Sequence, residues 1–286
     1  IGMVSIRHYI LTRFNLRLWP HNKMGEETQT EEWLSRRVAL FETYTLPSVA
    51  AQTCQDFVWI ILIDSDSPQW FLDKTRQWKD YCKQIKVISV KGAYSRAFAR
   101  IFRDVMTKDL DGYKGPVIST YLDNDDAIAR CFVSDVQRRL SGAKAKTVLA
   151  YTHGIQYFTQ LKMATSIRFM HNHFISIIEK ADDLQSVFGY GSHYYIWKCP
   201  KISMLYDDSR NMWMEVVHEG NVDNDVWMTL DTRLIKDVHG VDELYGCRLD
   251  WCADVKRVFI TDWIPRAVRV FGVHVKHKLF GHDWWK

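Results

Sequence analysis

The longest apolar run in the chain, Phe57-Val-Trp-Ile-Ile-Leu-Ile63, stops abruptly at Asp64-Ser65-Asp66-Ser67-Pro68. Its length and its polar end are typical of a β-strand that is buried on both faces, and such strands occur mainly in parallel sheets covered by helices. A membrane span would need roughly 20 apolar residues, so this run is too short to cross a bilayer. The chain is therefore expected to fold around a largely parallel sheet.

Strand and helix patterns alternate on both sides of this run. A capping-box pair, Thr28 and Glu31, precedes apolar residues at helical spacing; Pro47 ends that helix or opens a short second one, and Ser95 is placed to cap a later helix. This alternation predicts an α/β fold with a doubly wound, mostly parallel sheet, helices on both faces, and ligands at the carboxyl ends of the strands. The predicted strands are residues 7–12, 57–63, 85–90, 117–122 and 147–151.

The pattern is weaker beyond residue 155. There the sequence predicts a helix at 174–188, a strand at Tyr194–Trp197 and a loop from Pro200 to Asn211. The last part of the chain, residues 231–286, is predicted to be a basic, aromatic and partly helical extension.

The net charge of +4 equals the surplus of residues 254–286, which hold seven Lys or Arg against three Asp, while residues 1–253 are balanced. A balanced body with one basic end argues against a nucleic-acid-binding protein, which needs a large basic footprint. We expect 254–280 to contact an anionic membrane surface through Val255, Phe259 and Trp263, which share one helical face. The alternative is that this face packs against the rest of the protein, which Pro265 and a strand-like pattern after Gly272 favour.

The six cysteines are scattered, without a CxxC pair, and no secretory signal opens the sequence. Free thiols in a reducing compartment are the plain expectation. We therefore expect a cytoplasmic protein, with the inner face of the membrane as the place where the basic extension would contact lipid.

The turn Asp123-Asn124-Asp125-Asp126 follows the predicted strand at 117–122. Two carboxylates in D-x-D spacing can share one divalent cation, Mn²⁺ or Mg²⁺, which in turn can neutralise a diphosphate leaving group. The alternative is a purely structural role, in which Asp and Asn are present because they favour turns and Asp126 caps the next helix. An EF-hand is excluded, because its sixth and twelfth positions would be Ile128 and Ser134 instead of Gly and Glu.

Several segments resemble family-2-type glycosyltransferases of the GT-A fold. Thr45-Leu-Pro-Ser-Val-Ala-Ala-Gln52 with the apolar run after it, Gly92 to Ala97, and Tyr121-Leu-Asp-Asn-Asp-Asp126 match their pattern in order and spacing. Leu11-Thr-Arg-Phe-Asn15, Trp33 to Arg37 and Val216-Val-His-Glu-Gly-Asn221 resemble, more narrowly, a bacterial family described as rhamnosyl transferases. The resemblance covers roughly residues 6–230.

The resemblance implies a catalytic domain at 1–230, with a nucleotide-sugar half at about 1–126 and an acceptor half at about 127–230. It implies that the metal is held by Asp123, Asp125 and His218. It further implies that the nucleotide-sugar donor contacts Arg13, Asn15, Asp64, Arg96, Asp123 and Asn221.

No copy of the family's acidic catalytic motif is evident after the D-x-D turn. His193, which follows the Gly-rich segment Phe188-Gly-Tyr-Gly-Ser, is one candidate for the base that deprotonates the acceptor, and Asp223 and Asp225 are its rivals. A retaining mechanism without a base stays open. The predicted reaction is the metal-dependent transfer of a sugar, with rhamnose suggested by the family name alone, to a glycan or lipid-linked hydroxyl.

Two other classes of protein are alternatives to the glycosyltransferase hypothesis. A nucleotidyltransferase would share the fold class but would carry a Gly-rich basic loop after the first strand, and Arg13-Phe-Asn-Leu-Arg17 has no Gly. A non-catalytic carbohydrate- or metal-binding module would not need polar clusters at three successive strand ends. The sequence does not reveal the nucleotide, the sugar or the acceptor.

Overall fold

The computed structural model describes residues 6–21, 25, 27–219 and 226–280, with 273–280 as backbone alone. Its strands are β1 (Arg7–Arg13), β2 (Val58–Asp64), β3 (Ile85–Val90), β4 (Pro116–Tyr121), β5 (Ala127–Ile128), β6 (Thr147–Tyr151), β7 (His153–Phe158), β8 (Met163–Arg168), β9 (Ile175–Lys180), β10 (Ser203–Asp207), β11 (Trp213–Val217) and β12 (Arg233–Leu234). Its α-helices are α1 (Glu31–Leu40), α2 (Leu46–Ala50), α3 (Gln69–Tyr81), α4 (Phe98–Leu110), α5 (Phe132–Leu140), α6 (Val238–Tyr245), α7 (Val255–Val258) and α8 (Ile264–Phe280).

Seven of these strands form the central sheet, in the order β10-β6-β9-β4-β1-β2-β3. Neighbours run parallel except at β9, which is antiparallel to both β4 and β6. Leu11 of β1 lies between Ile60 of β2 and Tyr121 of β4. This register brings the carboxyl ends of β1, β2 and β4 to one edge of the sheet.

The apolar run at 57–63 is buried on both faces of this sheet, as predicted. Ile61 and Ile63 join the core on one face, whereas Ile60 and Leu62 join the core on the other. Helices α1, α3 and α5 cover the first face and α4 covers the second, because their apolar residues belong to those two cores. The predicted α/β fold with a mostly parallel sheet between helices is confirmed.

The helix predicted at 174–188 is wrong. Ile175–Lys180 forms β9, the antiparallel strand that lies between β4 and β6. β-branched residues with both faces buried favour a strand, and the run Phe174-Ile-Ser-Ile-Ile178 is of that kind. The strand predicted at Tyr194–Trp197 is a loop that ends in a short 3₁₀ turn, and the loop predicted at Pro200–Asn211 contains β10.

A second sheet, of order β12-β8-β7-β11-β5, packs beside the first. Trp213 of β11 lies directly on Gly154 of β7, where an added Cβ would be 2.1 Å from the indole ring. The indole stacks on Phe174 at 5.1 Å, and its Nε1 donates to the carbonyl of Tyr151 at 2.8 Å. The second sheet therefore holds the segment that leads into β9.

Helix α1 begins at Thr30, whose side chain accepts a hydrogen bond from the backbone N–H of Trp33. After a π-helical turn the chain continues into α2, with Pro47 in its first turn, so this proline opens the second helix. The predicted cap at Ser95 is wrong: α4 begins three residues later, and the Ser95 hydroxyl instead accepts from the backbone N–H of Arg17.

The C-terminal segment packs against the second sheet. Val255, Phe259 and the buried Trp263 contact a small core that includes Phe158 and Val217. The apolar face expected to meet a membrane is therefore covered by protein. Helix α8 continues through 273–275, where the sequence suggested a strand, and no helix of the described residues is long and apolar enough to span a bilayer.

Candidate active site

The functional side chains lie at the carboxyl edge of the central sheet. Arg13 and Asp64 are the last residues of β1 and β2, and Asp123 follows β4. Because β9 is antiparallel, its first residues lie at the same edge, and His173 lies just before them. Open α/β sheets bind ligands at this edge.

Arg13 is partly buried among three aromatic rings. Its guanidinium lies 4.9 Å from the ring centre of Phe98 and 5.2 Å from those of Tyr121 and Phe188. Its Nη2 donates to the Tyr121 hydroxyl at 2.5 Å and lies 3.5 Å from Asp123 Oδ1. Burial works to lower the pKa of Arg13, but Tyr121 and Asp123 raise it, so the side chain stays charged.

The Nε atom of this arginine is buried and has no hydrogen-bond partner among the described residues. A buried donor without a partner costs about 1–3 kcal/mol.

Asp126 and His173 form a buried pair. His173 Nε2 donates to Asp126 Oδ2 at 2.7 Å, and Asp126 Oδ1 accepts from the backbone N–H of Val216 at 2.9 Å. Burial alone would lower the pKa of His173, but the hydrogen bond that it donates to Asp126 and the charge of that carboxylate raise it to about 9. The pair therefore carries a proton at neutral pH.

Asp123, Asp126 and His173 together form a group that fits a divalent cation. One donor atom from each lies within 4.8 Å of the others, and His173 Nε2 is 4.0 Å from Asp123 Oδ2. Two carboxylates with an imidazole suit Mn²⁺ better than Mg²⁺, which prefers an all-oxygen shell. A cation at this position would have to displace the proton on the His173–Asp126 pair.

Asp125 has different partners. Its Oδ2 accepts from Arg37 Nη1 at 2.6 Å and from His218 Nε2 at 3.0 Å, and all three side chains are largely buried. Burial works to raise the pKa of Asp125, but Arg37 first and His218 second lower it. Asn124 joins this network by accepting from Arg37 and donating to the carbonyl of Phe14. The structure thus places Asp125 and His218 together, yet apart from the group around Asp123.

The predicted nucleotide-contacting residues surround the ends of β1 to β3. Asn15 accepts from the backbone N–H of Asp64 and donates to the Ser67 hydroxyl, so it joins the two strand ends. Arg17 pairs with the buried carboxylate of Asp64 and, at 2.9 Å, with Asp66. Arg96 is exposed on the adjoining 3₁₀ turn, Gly92–Ala97.

Arg17 lies across the first residue of that turn. A Cβ on Gly92 would be 2.8 Å from Arg17 Cδ, so glycine is what lets the arginine reach Asp64. Arg17 is not among the site residues predicted from the sequence. The sequence feature that could have identified Arg17 is its position, in the segment after the first strand and two residues beyond Asn15.

His193 lies beside His173 and Tyr121, away from Arg17 and Asp64. Its ring centre is 5.7 Å from that of His173 and 6.1 Å from that of Tyr121. Burial, with the charges of His173 and Arg13, lowers its pKa to about 3, so the imidazole is neutral. The predicted donor contact Asn221 and the rival candidate bases Asp223 and Asp225 lie outside the described residues.

Sequence reasoning also missed His173 and the ion-pair role of Arg37. His173 was hidden because the segment after it was interpreted as a helix, and only a strand brings its first residue to the ligand edge. Arg37 belongs to a segment that resembles the family, but the helical pattern did not predict that its side chain is buried.

Comparison with known proteins assigns the chain to a family. The family described as "Putative rhamnosyl transferase" matches residues 10–229, which is more than half of the chain. The chain belongs to this family. Its members are classed as glycosyltransferases by that description, in agreement with the resemblance seen in the sequence. No curated protein matches the chain at a significant level.

Among solved structures, the chain is similar to S. aureus TarS, with 12% identity and a TM-score of 0.41, over 75% of this chain and 37% of that one. It is similar to TarS 1–349 in complex with UDP, with 13% identity and a TM-score of 0.41, over 74% of this chain and 61% of that one. A 4-diphosphocytidyl-2C-methyl-D-erythritol synthase matches with 12% identity and a TM-score of 0.32, over 72% of this chain and 90% of that one. The chain thus spans less than two thirds of the TarS chains, and likeness this distant says nothing about substrates.

The buried Arg37–Asp125 pair is expected to be a large contributor to stability. In Arg37→Ala the Asp125 carboxylate would stay buried without its strongest partner, which costs about 3–5 kcal/mol. Arg36 is the matched control, because it is half exposed and contacts Glu32 on the helix surface. Arg36→Ala should cost less than about 1 kcal/mol. Urea unfolding of both variants measures the difference; equal losses would show that the buried pair is not needed for the fold.

Proposed function

We propose that this chain is a glycosyltransferase that moves a sugar from a nucleotide-sugar donor to a hydroxyl group of a glycan or lipid-linked acceptor. The observation that carries the proposal is the convergence of Asp123, Asp126 and His173 beside the partly buried cation of Arg13, at the carboxyl edge of the sheet. Membership of the rhamnosyl transferase family supports the same reaction class. The departing nucleoside diphosphate develops negative charge, and Arg13 offers a fixed positive charge there.

The nucleoside end of the donor would lie over the ends of β1 to β3. The carboxylates of Asp64 and Asp66 can accept hydrogen bonds from a base or a ribose, as the sequence analysis predicted for Asp64. The guanidinium of Arg17 covers these carboxylates and can turn toward a phosphate or stack on a base. Arg96, exposed on the same side, is a second cation for the diphosphate.

For the cation we propose the group Asp123, Asp126 and His173. Bound there, Mn²⁺ would neutralise charge on the diphosphate and so favour its departure. Asp123 would face the incoming donor, because its side chain is 32% exposed while that of Asp126 is fully buried. Asp125, held by Arg37 and His218, would keep the turn in place behind this group.

For the base we propose His193. A neutral imidazole can accept the proton of an acceptor hydroxyl while the acceptor oxygen bonds to the anomeric carbon and the bond from that carbon to the diphosphate breaks. This single displacement would invert the anomeric configuration. Asp223 and Asp225 stay the alternatives if His193 is not the base.

The alternative reactions give different products. A nucleotidyltransferase would release pyrophosphate from a nucleoside triphosphate, and a binding module would release nothing. Incubation with UDP-, GDP-, dTDP- and CMP-sugars, including the rhamnose derivative of dTDP, detects a glycosyltransferase by the nucleotide released. A parallel incubation with nucleoside triphosphates and a sugar phosphate detects a nucleotidyltransferase by the pyrophosphate released, and a binding module releases neither.

Donor binding should depend on the cation. Adding the right donor with Mn²⁺ should raise the unfolding temperature, because a ligand that binds the native state stabilises it. His173→Gln and Asp123→Asn should each abolish the Mn²⁺-dependent part and lower nucleotide release at least about 100-fold, since even the outer partners of metal ligands contribute 10–100-fold.

His218→Gln is the matched control for His173→Gln. It should keep Mn²⁺-dependent stabilisation, because the structure gives His218 the Asp125 carboxylate as its partner. If His218→Gln loses the stabilisation and His173→Gln keeps it, the cation is held by Asp123, Asp125 and His218, as the sequence resemblance implies.

His193→Gln tests the base. It should lower the turnover number by about 10²–10⁴-fold, the usual contribution of a general base, while the donor-induced rise in unfolding temperature stays unchanged. Full turnover in this variant would direct the search to Asp223 and Asp225.

The C-terminal helix still offers a face to a membrane, but a different one. With Val255, Phe259 and Trp263 packed inward, the exposed apolar residues are Ile260, Ile264, Val268 and Phe271, which lie along one side of the helix. Lys256, Arg257 and Arg269 are exposed on the same segment. An apolar stripe flanked by cations fits an anionic lipid surface, where each cation adds about 1 kcal/mol.

Peripheral binding through this stripe is tested by co-sedimentation with phosphatidylserine vesicles. The double variant Ile264→Ser and Phe271→Ser should weaken binding at least tenfold without unfolding the protein, since both residues are exposed. Deleting the segment is not a clean test, because it would remove the buried Trp263 from its core. Tyr81→Ser, at an exposed site on α3, is the control, and equal binding by all variants would exclude the stripe as the contact.

A further inference from the structure

Aromatic side chains cluster on the surface next to His193. Trp197 is 42% exposed and Tyr195 is 62% exposed, and Tyr194 and Tyr206 are also exposed. We call these four residues, together with His171, the Trp197 platform. Contiguous exposed apolar surface on a soluble protein commonly marks a binding site.

The rings of the platform are fixed although they are exposed. His171 stacks on Trp197 with ring centres 5.0 Å apart and planes 16° apart, and Tyr206 meets His171 edge-on at 6.4 Å. Trp197 Nε1 donates to the carbonyl of Tyr194 at 2.9 Å. Lys198 lies 5.0 Å from the ring centre of Tyr195 and 5.1 Å from that of Trp197. A ligand that stacks here would therefore have few side chains left to order on binding.

The platform continues directly from the candidate active site. Tyr194 contacts His193, with ring centres 3.9 Å apart, and His171 lies two residues before His173. Tyr206 is near the carboxyl end of β10, which runs parallel to β6 and lies at the far side of the sheet from β3. The platform therefore lies across Asp123 from the end where Arg17 and Asp64 would hold the nucleoside.

The chemistry of the surface matches a sugar ring. A pyranose has a face of C–H bonds, which packs against the electron-rich face of an aromatic ring, and a rim of hydroxyl groups, which needs hydrogen-bond partners. The Trp197 platform supplies ring faces together with tyrosine hydroxyls, an imidazole and the Lys198 ammonium. The exposed stripe on α8, in contrast, is aliphatic apart from Phe271 and has the chemistry of a lipid contact.

We propose that the Trp197 platform binds sugar rings of an oligosaccharide acceptor, one or more residues away from the hydroxyl that reacts at His193. This inference rests on the proposed glycosyltransferase function, because only that function makes the side of Asp123 opposite the nucleotide an acceptor side. It names the acceptor class as a glycan chain of at least two sugars, because the aromatic surface extends from His193 through Tyr194 to Trp197 and offers ring faces beyond the reacting position.

Binding is tested with the whole chain and a panel of oligosaccharide probes: rhamno-, manno-, galacto- and N-acetylgluco-oligosaccharides of one to four sugars. Saturation-transfer NMR detects binding, and quenching of tryptophan fluorescence gives its affinity. At least one probe should bind, with affinity that rises from one sugar to three. Trp197→Ala should lower that affinity at least tenfold, and Trp197→Phe, which keeps a ring face, should restore most of it.

Tyr81→Ala is the matched control. Tyr81 is as exposed as Tyr195, but it ends α3 at the opposite edge of the sheet, so its loss should leave glycan affinity unchanged. Donor-induced stabilisation with Mn²⁺ should be the same in Trp197→Ala as in the original chain, because the platform lies away from the nucleotide end.

The outcomes separate this inference from the proposed function. Donor binding with sugar release, but no probe bound or no loss in Trp197→Ala, would overturn the platform and leave the glycosyltransferase proposal standing. Glycan binding that depends on Trp197, without binding of any donor, would overturn the glycosyltransferase proposal and support a carbohydrate-binding surface. If an active enzyme takes only monosaccharide or non-carbohydrate acceptors, the platform is overturned as well.

Discussion

Two buried carboxylates, Asp125 and Asp126, constrain the rest of this structure. An unpaired carboxylate in a protein interior is too costly to keep charged, so each needs a partner that the turn itself does not contain. Arg37 reaches Asp125 from α1, and His173 reaches Asp126 from the segment before β9. Distant parts of the chain are thus tied to one turn, and each must fold correctly before the carboxylates can be buried.

The same pairing separates the roles of three neighbouring acids. Asp125 and Asp126 are enclosed by their partners, whereas Asp123 stays partly exposed beside Arg13 and Tyr121. A turn held from behind can present one carboxylate to solvent in a fixed place, which is what a metal or a charged substrate requires. The geometry that stabilises the fold is therefore the geometry that prepares the candidate site.

The edge of the sheet then divides into two ends with different chemistry. Arg17, Asp64 and Asp66 make the β3 end ionic, suited to a base, a ribose and phosphates. The β10 end is aromatic and carries the Trp197 platform, suited to uncharged sugar rings. A donor and a glycan acceptor would approach Asp123 from opposite sides, and the exposed stripe on α8 lies on another part of the surface, over the second sheet.

The sequence by itself determined the parallel sheet, because the run 57–63 and its polar stop have few other places in a fold, and it determined that Asp123 and its neighbours lie at a ligand edge. Its motifs also indicated the rhamnosyl transferase family to which the chain belongs. It did not reveal β9, since a short β-branched run between polar segments has the same local pattern in a helix and in a buried strand. Only the tertiary structure decided which acid of the D-x-D turn meets which partner. That choice depends on contacts between residues 47 to 93 positions apart, such as Asp125 with Arg37 and His218 and Asp126 with His173, and local periodicity holds no information about such contacts.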